Sequence, residues 1–195
     1  MKQTKKVLPF SIRKSTTGFT TGFTLIESLV VVTLIMVILA IVLISYRVGE
    51  KSLSLQESAV ILGQNLRRAQ EMAMSAKEFH GVIPKGGYGV NLIAGNDFYI
   101  IFADCNNNSQ YDSSGTPCNG YSEKVEQVPL SKRGKILGLV SGSSLSILNI
   151  VFIPPNPTIV MSGSDSQAII TLSLKEDAST TRTVRVNKAG LIEVF

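Results

Sequence analysis

The rhythm of hydrophobic and polar positions changes twice along this chain. Between Phe23 and Ile44 almost every position is apolar, and Glu27 is the one charged side chain. The run from Leu29 to Ile44 is 16 residues, or 22 counted from Phe23. At about 1.5 Å per residue, the longer count reaches about 33 Å, enough to cross a bilayer core. From Tyr46 to Phe79 the pattern becomes amphipathic. Leu55, Ala59, Leu62, Leu66, Ala69, Ala73 and Ala76 recur at alternating spacings of four and three, one face of a helix. Glu57, Gln64, Arg67, Arg68, Gln70, Glu71, Lys77 and Glu78 fill the other faces. Met72 and Met74 read as packing residues. Gly49 and Gly63 weaken the helix by about 1 kcal/mol each relative to alanine. Its end is expected near His80-Gly81, with His80 as a C-terminal cap and Pro84 beyond.

After Gly81 the period shortens to that of strands broken by Gly, Asn, Ser and Pro. The expected strands are Tyr88–Ile93, Phe98–Ala103, Glu123–Val128, Ser144–Phe152, Thr158–Met161, Ala168–Leu174, Thr181–Val186 and Leu191–Val194. Gly95-Asn96 suggests a tight hairpin. Pro154, Pro155 and Pro157 exclude a central strand through their turn. The expected fold is α+β: a long N-terminal helix, half membrane-spanning and half amphipathic, packed on a C-terminal antiparallel β-sheet head. The expected divisions are a basic leader (1–22), a transmembrane helix (23–45), an amphipathic helix (46–80) and a β-rich head (81–195).

Charge changes this picture in one respect. The formal net charge is +5, from 19 basic and 14 acidic side chains. Lys2, Lys5, Lys6, Arg13 and Lys14 all precede Gly22, and no acid does. Without those five residues the chain is neutral, so its overall basicity gives no support to nucleic-acid binding. Lysines and arginines before an apolar helix favour keeping that flank in the cytoplasm. No small-residue cleavage site follows the apolar run, so an uncleaved signal anchor is the alternative reading.

Gly22-Phe23-Thr24-Leu25-Ile26-Glu27 followed by a long apolar helix resembles the N-terminal signature of type IV prepilins and type II secretion pseudopilins. The resemblance covers Gly22 to about Tyr46. It implies cleavage by a membrane aspartyl protease, the prepilin peptidase, between Gly22 and Phe23, with methylation of Phe23. Glu27 then becomes the fifth mature residue, as that family requires. The earlier Gly18-Phe19-Thr20 would place Phe23 fifth and is not expected to be productive. An unpaired carboxylate in lipid is costly. A new amine on Phe23 of one subunit, paired with Glu27 of a neighbour, would relieve that cost and favour staggered assembly. A headgroup-solvated Glu27 is the competing reading. The implied partners are other pilins or pseudopilins, the prepilin peptidase and an inner-membrane assembly platform. The implied location is the inner membrane, single-pass, with the N-terminus cytoplasmic and the head outside.

The remainder is similar to the GspH/FimT branch of that family. Asn65 to Ala73 approaches its Leu-x-x-Ala-Arg-x-x-Ala helix pattern, with Gln70 where the basic residue belongs and Arg67-Arg68 just before. Phe102-Ala103-Asp104 before an Asn-rich loop, Phe152 to Thr158, Gly163, Thr183 to Asn187 and Gly190 to Val194 also resemble it. The resemblance implies a minor pilin or pseudopilin.

Three clusters remain as candidate sites. Asp104, Asn106, Asn108 and Asp112 place oxygens at calcium-loop spacing. Ser109 and Gly115 stand where such a loop needs Gly and Glu, so a structural turn is preferred to calcium. Cys105 and Cys118 bracket this loop. Outside the membrane two such cysteines tend to pair, contributing about 3 kcal/mol, whereas a reducing exterior would leave them as thiols. Zinc lacks enough ligands. Arg182, Arg185 and Lys188 lie where some FimT-like pilins bind DNA through Gly-Arg-x-Arg. Here the glycine is missing and the arginines are three apart, which on a strand puts them on opposite faces. Lys132, Arg133 and Lys135 form a second basic cluster, read as a loop. No catalytic motif is present, and neither an enzyme nor a cofactor is expected.

Overall fold

The computed structural model describes residues 22–155 and 158–195, and inside the helix it describes no side chains from 44 to 48. The leader up to residue 21, and Pro157 of the proline turn, therefore lie outside the described residues. The chain divides into two compact units between Ile44 and Ser45.

One helix, α1 (Leu25–Met74), supplies all of the first unit's described regular structure and opens the second. The Leu25–Leu43 stretch is 0% buried, and it is long and apolar enough to cross a membrane. The rest of α1 buries the expected stripe: Leu55, Ala59, Leu62, Leu66 and Ala69 are fully buried. Met72 joins that core at 6% exposure, whereas Met74 faces outward at 44%.

The helix ends earlier than its sequence suggests. Ala76 turns left-handed (φ 47°). Its N–H donates to Ala73 O at 3.1 Å, and Lys77 N–H donates to Met72 O at 3.1 Å. That pair of bonds closes the last carbonyls without a glycine. The expectation of an end at His80-Gly81 is thus corrected. His80 is not a cap of α1. It lies in a reversal between Phe79 and Val82, with His80 and Gly81 both at positive φ.

Among its described residues the second unit adds ten strands: β1 (Gly87–Ile93), β2 (Phe98–Asp104), β3 (Lys124–Pro129), β4 (Gly134–Ser141), β5 (Ser143–Leu145), β6 (Ile147–Ile153), β7 (Thr158–Met161), β8 (Gln167–Leu174), β9 (Thr181–Asn187) and β10 (Ile192–Val194). They form two antiparallel sheets, in the orders β3-β2-β1-β6-β7 and β10-β9-β8-β4-β5. Two departures follow. The stretch read as one strand, Ser144–Phe152, breaks at Ser146, so that β5 and β6 belong to different sheets. The basic cluster read as a loop is a loop only at Lys132 and Arg133, because Lys135 is on β4.

A single core gathers the buried face of α1 and the inward residues of both sheets, among them Tyr88, Ile101, Ile150, Ile170 and Val184. A smaller cluster, Ile100, Phe102 and Val151, covers the opposite face of the first sheet, with Tyr111 packed on it. Gly89 makes this possible: a Cβ there would come within 2.8 Å of both the Phe102 ring and Ile150 O.

Candidate functional site

Thr24 caps the start of helix α1. The Thr24 side-chain oxygen accepts the Glu27 N–H at 3.3 Å, and Thr24 O accepts Ser28 N–H at 3.1 Å. Thr-x-x-Glu is also capping-box spacing, and it places Glu27 in the first turn, where a carboxylate complements the helix dipole. The sequence reading took Glu27 as a cost in lipid and did not identify this local reason for an acid. Phe23 and Glu27 are both exposed, and a Cβ at Gly22 would meet nothing within 4 Å. Gly22-Phe23 and Glu27 thus sit together at an open helix start.

The Asn-rich loop between β2 and β3 is held by two fully buried carboxylates. The Asp104 carboxylate accepts the N–H of Asn108 (3.1 Å) and of Ser109 (2.8 Å). The Glu123 carboxylate accepts the N–H of Cys105 (3.2 Å) and of Asp112 (3.0 Å). Asn106 and Asn108 each receive an N–H two residues on, and both donate their amides to Asp112. These are Asx-turns closed on themselves. Among the described residues no group of three or more His, Cys, Asp or Glu side chains is arranged to hold a metal ion. Cys105 and Cys118 are joined by a disulfide with Cα atoms 5.4 Å apart. It closes the same loop, and Tyr121 at the loop's end stacks on His80, 3.9 Å between ring centroids.

Glu123 is the residue that sequence reasoning missed. Its only signal was an acid at the foot of a strand, just after the second cysteine. Burial pushes its carboxyl above the ordinary range, opposed by the two N–H bonds and reinforced by Asp104 and Asp112.

Asp104 has no room to move. A Cβ on Gly86 would coincide with the Asp104 carboxylate. Gly86→Ala is expected to destabilise the head by about 2–3 kcal/mol, an overpacking cost. Thermal unfolding followed by circular dichroism checks this, and an unchanged midpoint contradicts it.

The basic residues near the C-terminus do not converge. Arg182 donates to Ser52 Oγ at 3.2 Å and to Thr181 O at 3.0 Å. Arg185 lies on the opposite face of β9, beside Glu193 and Phe195. Lys188 is exposed in the turn after β9. The helix residues of the branch-like pattern brace the head instead. Arg67 donates to Ile192 O at 3.0 Å, Arg68 pairs with Glu126 at 2.7 Å, and Asn65 donates to the Tyr99 hydroxyl at 2.7 Å. Gln70 faces Gly190.

No protein-family model matches this chain, and neither the curated proteins nor the solved structures give a match.

Proposed function

We propose that this chain is a minor pilin or pseudopilin subunit, anchored through Leu25–Leu43 and built into a filament of a type II secretion or type IV pilus system. The observation that carries the reading is the conjunction at the helix start. Gly22-Phe23 precedes a Thr24-capped first turn bearing Glu27, and the apolar helix beyond it has none of its surface covered. An uncovered apolar helix of that length needs lipid or other helices around it. Both are what a pilin subunit meets, first in the inner membrane and then in a filament. Its partners in this reading are other pilins, the prepilin peptidase and the inner-membrane assembly platform. The DNA-uptake alternative is weakened by Arg182 and Arg185, which face apart, with Arg182 already bonded to Ser52.

Intact-mass analysis of the chain extracted from membranes tests the proposal. A species beginning at methylated Phe23 is expected. A retained Met1 overturns it in favour of an uncleaved anchor.

A further inference from the structure

Three asparagines stand in a row in the loop between β2 and β3, and the loop's own bonds use the side chains of only two. Asn106 Oδ1 and Asn108 Oδ1 each accept an N–H two residues on, and both amides donate to Asp112. Asn107 between them is exposed, and its side chain makes no hydrogen bond among the described residues. Its backbone is left-handed (φ 61°), a conformation asparagine tolerates better than most residues. The next two N–H groups, of Asn108 and Ser109, are tied to the buried Asp104 carboxylate. The turn beneath Asn107 is therefore fixed by bonds that do not involve its amide. Ser109 commits its N–H to Asp104, and its hydroxyl has no partner among the described residues.

The spacing gives the free amide a use. Asn107-Asn108-Ser109 is an Asn-x-Ser triplet, the acceptor pattern for an N-linked sugar. No other asparagine of the chain fits it. Asn156-Pro157-Thr158 alone has a hydroxyl at the third place, and the pattern excludes its central proline. An acceptor must also be reachable by a bulky donor. Asn106, Asn107, Asn108 and Gln110 are all exposed, in a loop that belongs to neither sheet.

We propose that Asn107 is the acceptor of an N-linked glycan, transferred from a sugar carried on a lipid pyrophosphate at the outer side of the membrane. Asn107 Nδ2 bonds to the anomeric carbon of the sugar. The bond from that carbon to the pyrophosphate oxygen breaks, and its electron pair leaves with the lipid pyrophosphate. Nδ2 gives up one proton to a base of the transferase, and the free Ser109 hydroxyl is the second group that the transferase reads. The glycan then stands over a loop whose own bonds stay intact, since none of them uses the Asn107 side chain. The inference rests on the proposed function only for the export of the head, which an uncleaved anchor would share.

The test takes the full chain from its own membranes, digests it, and weighs and fragments the peptide that carries Asn107. A discrete mass increment on Asn107 that releases sugar fragment ions is expected. Two variants are each expected to lose the increment completely. Asn107→Gly suits the left-handed backbone. Ser109→Ala leaves Asn107 and the N–H bond to Asp104 in place and removes only the hydroxyl. The Cys105–Cys118 disulfide, read in the same digest, is expected to stay formed in both, which separates loss of the acceptor from misfolding of the loop. An Asn107 peptide at its plain sequence mass overturns the proposal, and so does an increment that persists in either variant. Failure of the filament reading shows separately in the same sample, as Met1 instead of methylated Phe23 at the N-terminus.

Discussion

Replacing Glu27 with alanine is expected to leave the chain in the membrane and exclude it from filaments. Insertion depends on the apolar length, and Leu25–Leu43 already suffices. Removing an ionisable side chain makes that segment easier to insert. The local cost is small, since an acid in the first turn of a helix contributes about 0.3–1 kcal/mol. Thr24 would still receive the N–H of residue 27, so the helix should start at the same place. What disappears is the carboxylate that a neighbouring subunit's amine would meet. The measurement is the share of subunit co-purifying with sheared filaments, against the share in membranes. Loss from both fractions indicates misfolding, and normal incorporation contradicts the pairing mechanism. Thr24→Ala separates the two contributions: it weakens the helix start by about 1 kcal/mol and leaves the charge in place.

The second large effect is expected at Glu123. Glu123→Ala leaves the N–H groups of Cys105 and Asp112 without their acceptor inside the loop. Two orphaned donors cost about 2–4 kcal/mol, which for a domain of this size lowers the unfolding midpoint by about 5–15 °C. The disulfide limits how far the loop can open, so the loss should appear as local exchange of those two amides as well. A pH signature accompanies it. The Glu123 carboxyl is raised in the folded state, so the folded chain binds that proton more readily than the unfolded chain. Its contribution therefore improves as pH falls from the raised value toward the ordinary carboxylate range, and worsens as pH rises through the same window. Asp97, held low by its bond to Lys175, and Asp177, held low by Ser179, act in the opposite sense on acidification. The comparison must therefore be between the native chain and Glu123→Gln. The native chain should gain relative to the variant as pH falls. A constant difference between pH 4 and 7 on the scale of ordinary carboxylate titration contradicts the assignment.

Much of the head was legible because its strands keep the period of two. Tyr88, Val90 and Leu92 alternate with Gly89 and Asn91, and the inward set is buried as that alternation requires. The strand that escaped notice, β4, has its alternation broken: a bulge between Ile136 and Gly138 shifts its register, and two glycines and a lysine disguise its start. The break at Ser146 left no trace because Ser-Leu-Ser-Ile continues the alternation while the chain passes from one sheet to the other. The end of α1 was hidden for a different reason. Ala76 adopts the left-handed conformation that glycine signals in sequence, and the nearest glycine, Gly81, marks a later turn. At the sites, Glu27 stands out by charge alone. Glu123 does not, since its importance comes from the backbone donors that folding brings to it from Cys105, 18 residues earlier.

The bond from Arg67 to Ile192 O spans 125 residues. It joins the C-terminal part of α1 to the edge strand beside it, so the second sheet cannot be finished until Ile192 has joined the fold. Contacts of such separation make folding slow, in the range of milliseconds to seconds, because the connecting loop must close before any reward arrives. Through that interval the apolar stripe of α1 near Gly63, where Val194 finally rests, stays uncovered. A chain crossing a membrane would spend those moments beside the translocation machinery. The time the stripe spends open to proteases and to other chains is then set by how fast this long-range pairing forms.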